Sequence, residues 1–338
     1  MDLPRPDARD EKRRKGAAGG WLKSENREGT GYAVRMPVFA KRQEREPMVY
    51  RKRYGDRWDG RRIRSLPPMT RIAAYIMPRR NGAHNYIRDT IEVSAAERYI
   101  RRKRMQGMKG FGIMHLFTAA YVRIVSRMPG LNRYVVNREL YARDNITVAM
   151  MIKKEMKLDA QETATKIEYS PYATVNDVYD ALNRVITENR MAGDQSDFDE
   201  TARVLNYIPR PFLGAAIAFI RFLDNYNKLP RFLQRLSPFH VSCFFTSMGS
   251  LGIPPVFHHL YDFGNCPLFI AFGPKRTEFV MGPAGTVQRR IYIDFTVTAD
   301  ERICDGHYLA TALKMFHELF RHPEMLEEPP ESVTDDVD

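Results

Sequence analysis

The chain has 338 residues, 43% of them hydrophobic, and carries 53 Lys and Arg against 41 Asp and Glu, a net charge of +12. That length suits one large domain or two ordinary ones with a substantial core. No run of about 18 apolar residues occurs, which argues against a membrane-spanning helix, and no apolar segment follows the charged N-terminus, which argues against a secretory signal.

The charge is unevenly spread. Residues 1–64 hold 19 basic and 10 acidic residues, and the remainder holds 34 and 31. The excess therefore belongs to an N-terminal arm, and a nucleic-acid-binding body is disfavoured. Residues 1–47 are rich in Arg, Lys, Glu and Gly and read as a disordered basic arm. Weak contact of that arm with RNA or an acidic membrane surface is the alternative, and Met48 is an alternative start. Cys243, Cys266 and Cys304 are odd in number and form no C-x-x-C pair, so no metal site is expected and a reducing, cytoplasmic setting fits.

In chain order, Pro67-Pro68-Met69-Thr70-Arg71-Ile72 opens a short helix to about Met77. Residues 86–93 alternate as a strand. Ser94 and Glu97 have capping-box spacing and start a helix to about Met105. Ile113 to Arg127 is a strongly apolar helix stopped by Pro129-Gly130-Leu131-Asn132. Strands are expected at 139–143 and 145–154, and a helix from Thr174-Val175-Asn176-Asp177 to about Asn189. Residues 192–200 read as a polar loop. Residues 212–223 and 229–236 form two apolar helices split by Pro230, with core or a subunit interface expected around them. A membrane surface or an acyl pocket is the alternative there. Strands return at 239–246, 267–272 and 286–298.

The last of these strands places Ile291, Ile293, Phe295 and Val297 on one face and Tyr292, Asp294, Thr296 and Thr298 on the other. A turn from Ala299 to Gly306 leads into a final helix carrying Leu309, Ala312, Leu313, Phe316, Leu319 and Phe320 at helical spacing. Residues 327–338 form an acidic tail that is expected to fray. The alternation of helices and strands points to one α/β sandwich domain over residues 48–326.

Asp300-Glu301-Arg302-Ile303-Cys304-Asp305-Gly306 resembles the D-H-R-V-x-D-G signature of dihydrolipoyl acyltransferase catalytic domains, the acyl-transferring component of 2-oxoacid dehydrogenase complexes. Chloramphenicol acetyltransferases share that fold and a related H-x-x-x-D-G. The entry helix resembles P-M-S-R-I-R, the turn at Pro129 resembles P-E-L-N, and Thr246-Ser247-Met248-Gly249-Ser250-Leu251-Gly252 resembles S-N-L-G-x-x-G within T-I-S-N-L-G-x-x-G. The resemblance covers most of residues 66–326 and is close only towards the ends. It implies a chloramphenicol acetyltransferase-like two-layer sandwich with a mixed sheet, and a homotrimer. No lipoyl domain precedes the core, so the donor it implies is a coenzyme A thioester or a lipoyl domain supplied in trans, and the acceptor a small molecule.

Three site residues follow from the resemblance. Glu301 stands where the family has its catalytic histidine. A glutamate, with an ordinary pKa of about 4.3, is a weaker base than an imidazole; burial beside Tyr or Phe strengthens it. A solvated ion pair with Arg302, or a site that has lost its chemistry, is the alternative. Thr246 stands where the family has a serine that stabilises the oxyanion, and its hydroxyl suits that role. A slip of one position hands the role to Ser247, and a strand end followed by a glycine turn needs no chemistry. Asp305 matches the residue that orients the active-site segment through hydrogen bonds and a buried ion pair; a helix cap is its plain alternative. His307, His258 and His259 are weaker candidates for contact with substrate, and adjacent histidines make a poor metal pair. In the family the histidine of one subunit meets the serine of the next, which implies Glu301 facing Thr246 across an interface. A non-catalytic scaffold is the alternative function.

Overall fold

The structure, a computed structural model, describes residues 50–153, 162–191, 209–282 and 285–337. The expected basic arm, the start at Met48 and the polar loop at 192–200 lie outside the described residues. From Arg51 onward the chain forms one unit.

Nine strands and seven α-helices are described. A small sheet joins β1 (Gly60–Arg62), β4 (Glu139–Arg143) and β3 (Arg133–Val136), in that order. The main sheet contains β2 (His84–Glu92), β5 (Ile146–Lys153), β6 (Glu162–Tyr169), β7 (Cys243–Ser247), β8 (Leu268–Met281) and β9 (Val287–Asp300). Its order is β2-β9-β8-β7-β5-β6, and it is mixed: β7 runs parallel to β5 and β8, and the other pairs are antiparallel. The helices are α1 (Pro68–Ile76), α2 (Ser94–Met105), α3 (Ile113–Arg127), α4 (Val175–Met191), α5 (Arg210–Asn225), α6 (Arg231–Leu236) and α7 (Gly306–Arg321).

The strand period of two divides the main sheet into two faces. On the front face Cys243, Phe245, Leu268, Ile270, Phe272, Ile293, Phe295, Val297 and Ala299 join one large core with α2, α3, α4 and α7. Helix α3 is apolar on all sides and buried at every position from His115 to Ser126, as a central helix must be. Its Phe117 stacks on Phe272 at 4.3 Å and meets Phe316 and Phe320 edge-on from α7. On the back face Ala149, Phe244 and Phe269 form a smaller cluster with Val241, Leu260 and Cys266.

Four expectations change. The Ser94 hydroxyl does not cap its own helix; it accepts the Ile291 N–H at 2.9 Å, and Glu97 pairs with Lys275. The apolar helix α5 is not core of this chain: Phe212, Phe219 and Phe222 are 65%, 61% and 55% exposed, and Asp224 is its one buried side chain among those described. The acidic tail is held down rather than frayed. Arg133 Nε donates to Asp336 Oδ2 at 2.7 Å, the Thr334 N–H reaches the Ser126 carbonyl at 2.8 Å, and Arg61 donates to the Asp336 carbonyl. Finally, β1, β3 and β6 are strands that the hydrophobic pattern leaves unmarked.

Candidate functional site

Thr246 lies near the end of β7, where its neighbours across the sheet are Ala271 on β8 and, beyond it, Thr296 on β9. Phe244, two residues earlier, belongs to the back-face cluster and Phe245 to the front core. Alternation therefore sets Thr246 on the back face and Ser247 on the front. The two glycines that follow shape the chain. The Met248 N–H donates to the Phe272 carbonyl at 2.8 Å, a short turn spans Gly249–Leu251, and Gly252 ends it at φ 70°, a left-handed conformation that glycine adopts freely.

The Asp300–Asp305 segment closes β9 at the other end. Asp300 is fully buried and receives Arg302 twice, Nε to Oδ1 at 2.8 Å and Nη2 to Oδ2 at 2.6 Å. Arg80 stands 3.5 Å from the same carboxylate and also donates to the carbonyls of Tyr261, Gly264 and Val135. Arg302 Nη1 reaches the Met77 carbonyl at 2.9 Å. This buried carboxylate with two guanidinium groups fastens the end of β9 to α1 and to the 254–264 segment.

Glu301 sits between the two paired residues. Its N–H donates to the Ala83 carbonyl at 2.8 Å, and its side chain is exposed. The ion pair with Arg302 does not form, because Asp300 holds that guanidinium. Among the described residues the Glu301 carboxylate has no partner. It is also not buried beside an aromatic ring.

Asp305 is exposed and caps α7, its Oδ1 accepting the Tyr308 N–H at 2.7 Å. It makes no ion pair among the described residues; the buried pair belongs to Asp300 instead. Tyr308 in turn ties this turn to the one after α3. Its hydroxyl accepts the Gly130 N–H at 2.9 Å, and a Cβ at Gly130 would lie 2.9 Å from its ring. The two motifs at Pro129 and Asp305 are thus one packed unit.

A strap formed by residues 254–261 crosses the back face between these ends. Pro255 packs on Gly273, where a Cβ would lie 2.8 Å from the proline ring. Thr296 Oγ1 donates to the Val256 carbonyl at 2.7 Å, His258 stacks on Phe269 at 4.2 Å, and the Leu260 N–H donates to His84 at 3.2 Å. Because His84 Nε2 accepts that bond, we assign the proton to Nδ1, which donates to Tyr86 Oη at 2.8 Å. Burial holds the His84 and His258 imidazoles below their usual range. His307 is exposed on the first turn of α7. Both His84 nitrogens are engaged, so it does not replace the missing imidazole. Neither does a thiol: burial pushes Cys266 up to about 11 and Cys304 up to about 12, and it holds Cys243 well above the usual thiol range.

The register decides whether Thr246 and Glu301 can meet in one chain. Thr246 is level with Thr296, and Glu301 follows five residues later, where β9 has ended. Five residues along the sheet and two strand spacings across it put the two about 19 Å apart. One copy therefore does not bring them together. The resemblance pointed to Glu301, Thr246 and Asp305 but not to Arg80, Asp300 or His84. The D-x-R spacing of Asp300 and Arg302 was a usable signal for the ion pair; nothing near Arg80 marked it as their partner.

No protein-family model and no curated protein sequence matches the chain. Among solved structures, one described as a probable dihydrolipoamide acetyltransferase from Listeria monocytogenes aligns with a TM-score of 0.50 at 11% identity, over 80% of this chain and 98% of that one. A dihydrolipoamide acetyltransferase from Azotobacter vinelandii aligns at 0.48 and 12% identity, over 79% and 94%. A chloramphenicol acetyltransferase aligns at 0.47 and 12% identity, over 77% and 99%. The first match, together with the mixed six-stranded sheet, shows the chloramphenicol acetyltransferase-like α/β sandwich fold of 2-oxoacid acyltransferase cores.

Proposed function

We propose that the protein is an acyltransferase that moves an acyl group between a coenzyme A thioester, or a lipoyl group supplied in trans, and a small-molecule acceptor, and that it works as a homotrimer. One observation carries the reading. At the two ends of one strapped face, the fold leaves a carboxylate at Glu301 and a hydroxyl at Thr246 without partners among the described residues, while Asp300 and Arg302 on either side of Glu301 are paired with each other. An exposed, unpaired acid held rigidly between two buried ion-paired residues is what a base that must reach a substrate requires.

In this reading Glu301 of one copy faces Thr246 of the next, since one copy holds them too far apart. Glu301 takes the proton of the acceptor as its nucleophilic atom attacks the thioester carbonyl. Thr246 Oγ donates to the oxyanion that forms. The intermediate collapses, the carbon–sulfur bond breaks, and the leaving thiolate takes the proton back from Glu301. Asp305 positions the segment by capping α7 and touches no reacting atom.

The test uses full-length protein, with Glu301→Ala and Glu301→His beside the wild type, assayed for acyl-coenzyme A hydrolysis and transfer to a panel of amines, alcohols and thiols. The wild type is expected to turn over and Glu301→Ala to lose about 100-fold or more, the usual worth of a general base. If all three are inactive and coenzyme A still binds, the protein is a non-catalytic scaffold that has kept the fold.

A further inference from the structure

A cavity of about 360 Å³ opens where the 57–59 segment, the start of β5, β6 and α6 converge. It lies beside residues 144–147, which precede or begin β5, whereas Thr246 lies near the end of the parallel strand β7. Among its lining residues are three cations, Arg143, Lys166 and Arg235, and three carboxylates, Asp59, Asp144 and Glu168.

The carboxylates are not equally free. Asp59 accepts from Tyr134 Oη at 2.9 Å, Gln234 Nε2 at 2.7 Å, and Arg57 Nε and Asn265 Nδ2 at 3.3 Å each. Those contacts hold its carboxyl below the usual range, with the Arg57 charge the largest cause that opposes its burial. Asp144 takes Lys52 Nζ at 2.6 Å. Glu168 has no partner among the described residues.

The cations are short of acceptors. Arg143, 4% exposed at its side chain, donates through Nη2 to Asn265 Oδ1 at 2.8 Å and to the Val241 and Asn265 carbonyls at 3.2 Å, and its Nη1 lies 3.8 Å from Asp59 Oδ2. Its Nε is buried with no hydrogen-bond partner, which is costly for a charged group. Lys166 Nζ, with three donors, makes one long bond at 3.3 Å to the Gln234 carbonyl. Burial and then the Arg143 charge pull Lys166 down to about 8, with Asp59, Glu168 and Arg235 the other charges facing it. Arg235 lies over the Trp58 ring at 5.9 Å. Asp224 balances Arg57 and Asp144 balances Lys52, so Arg143, Lys166 and Arg235 face Asp59 and Glu168 with one positive charge uncompensated.

We propose that this cavity binds the phosphate group of a small phosphomonoester, with Lys166 Nζ as the principal donor and the Arg143 and Arg235 charges beside it. A phosphate brings the negative charge that the cavity lacks and offers the acceptors that Lys166 Nζ is short of. The volume exceeds that of a phosphate ion alone and leaves room for a small organic part against Trp58.

The test reads fluorescence in the full chain. Trp21 and Trp58 are its two tryptophans, so Trp21→Phe leaves Trp58 as the sole reporter. Titration with inorganic phosphate, and separately with glycerol 3-phosphate, is expected to give a saturable change with one site per chain. Lys166→Met should weaken it by about 10- to 100-fold, the worth of one charged hydrogen bond. Glu168→Gln should tighten it, and this arm stands even if Lys166→Met fails to fold. Binding of free phosphate and of the ester, or of the ester alone, supports the site. No saturable change with either, or the same affinity in both variants and the parent, overturns it and leaves a cavity that holds water.

Discussion

Arg302 turns back onto Asp300, two residues before it, with paired bonds of 2.6 and 2.8 Å, and both side chains are buried. That contact is the reason Glu301 stands unpaired. The residue between them projects from a turn that cannot rotate without breaking a buried ion pair, and its neighbouring cation is already used.

Replacing Asp300 by Asn should therefore be far worse than replacing Glu301 by Ala. Asp300→Asn strands two buried guanidinium groups, Arg302 and Arg80, and should cost about 3–5 kcal/mol. Glu301→Ala removes an exposed side chain and should stay within about 0.5 kcal/mol. Denaturant melts of the two variants check this; equal losses would contradict it.

Gly130→Ala tests whether the turns at Pro129 and Asp305 form one unit. The new methyl group meets the Tyr308 ring, and overpacking of this kind costs about 1–3 kcal/mol. The effects should be strongly non-additive, so that Gly130→Ala adds little once Tyr308→Ala has removed the ring. Additive losses in thermal melts would count against the contact.

The docked tail makes a third prediction. Arg133 and Asp336 pair through their side chains at 2.7 Å, largely shielded from water. A double-mutant cycle of Arg133→Ala and Asp336→Ala should return a coupling of about 1–3 kcal/mol. A coupling near zero would mean that the tail frays in solution.

Acid stability should carry the mark of His115. Burial lowers its pKa to about 4, and it stacks on Phe111 in the core. Between about pH 6.5 and pH 4 the unfolded chain holds a proton there that the folded chain refuses. Stability is thus complete above about 6.5 and falls as the pH drops towards 4, by up to about 3 kcal/mol. His115→Phe should flatten that limb of the stability curve; an unchanged limb would assign the acid sensitivity elsewhere.

Much of the fold was legible because its core elements have strong periods. The apolar run of Ile113–Arg127 and the alternation from Ile291 to Thr298 appear as α3 and β9. Strand β6 was not legible, since Glu162-Thr163-Ala164-Thr165-Lys166-Ile167-Glu168-Tyr169 has few apolar residues and is recruited by its pairing with β5. β3 is only four residues long and depends on β4. The helix at α5 was legible but its surroundings were not, because composition does not say whether an apolar face finds a partner within the chain. At the candidate site the face of Thr246 was not legible, because Phe244 and Phe245 are both apolar and only the two packed clusters tell the faces apart. Nor was the Arg80–Asp300–Arg302 cluster, since it joins residues far apart in sequence through tertiary contacts alone.

The proposed site is shared between copies, with Glu301 from one and Thr246 from the next. Glu301→Ala and Thr246→Ala, each inactive on its own, should complement when coexpressed. In a ring with one site at each interface, random mixing leaves about one quarter of sites with both residues intact, so about that share of wild-type acyl transfer should return. Activity no greater than the sum of the two parents would show that the two residues do not share a site.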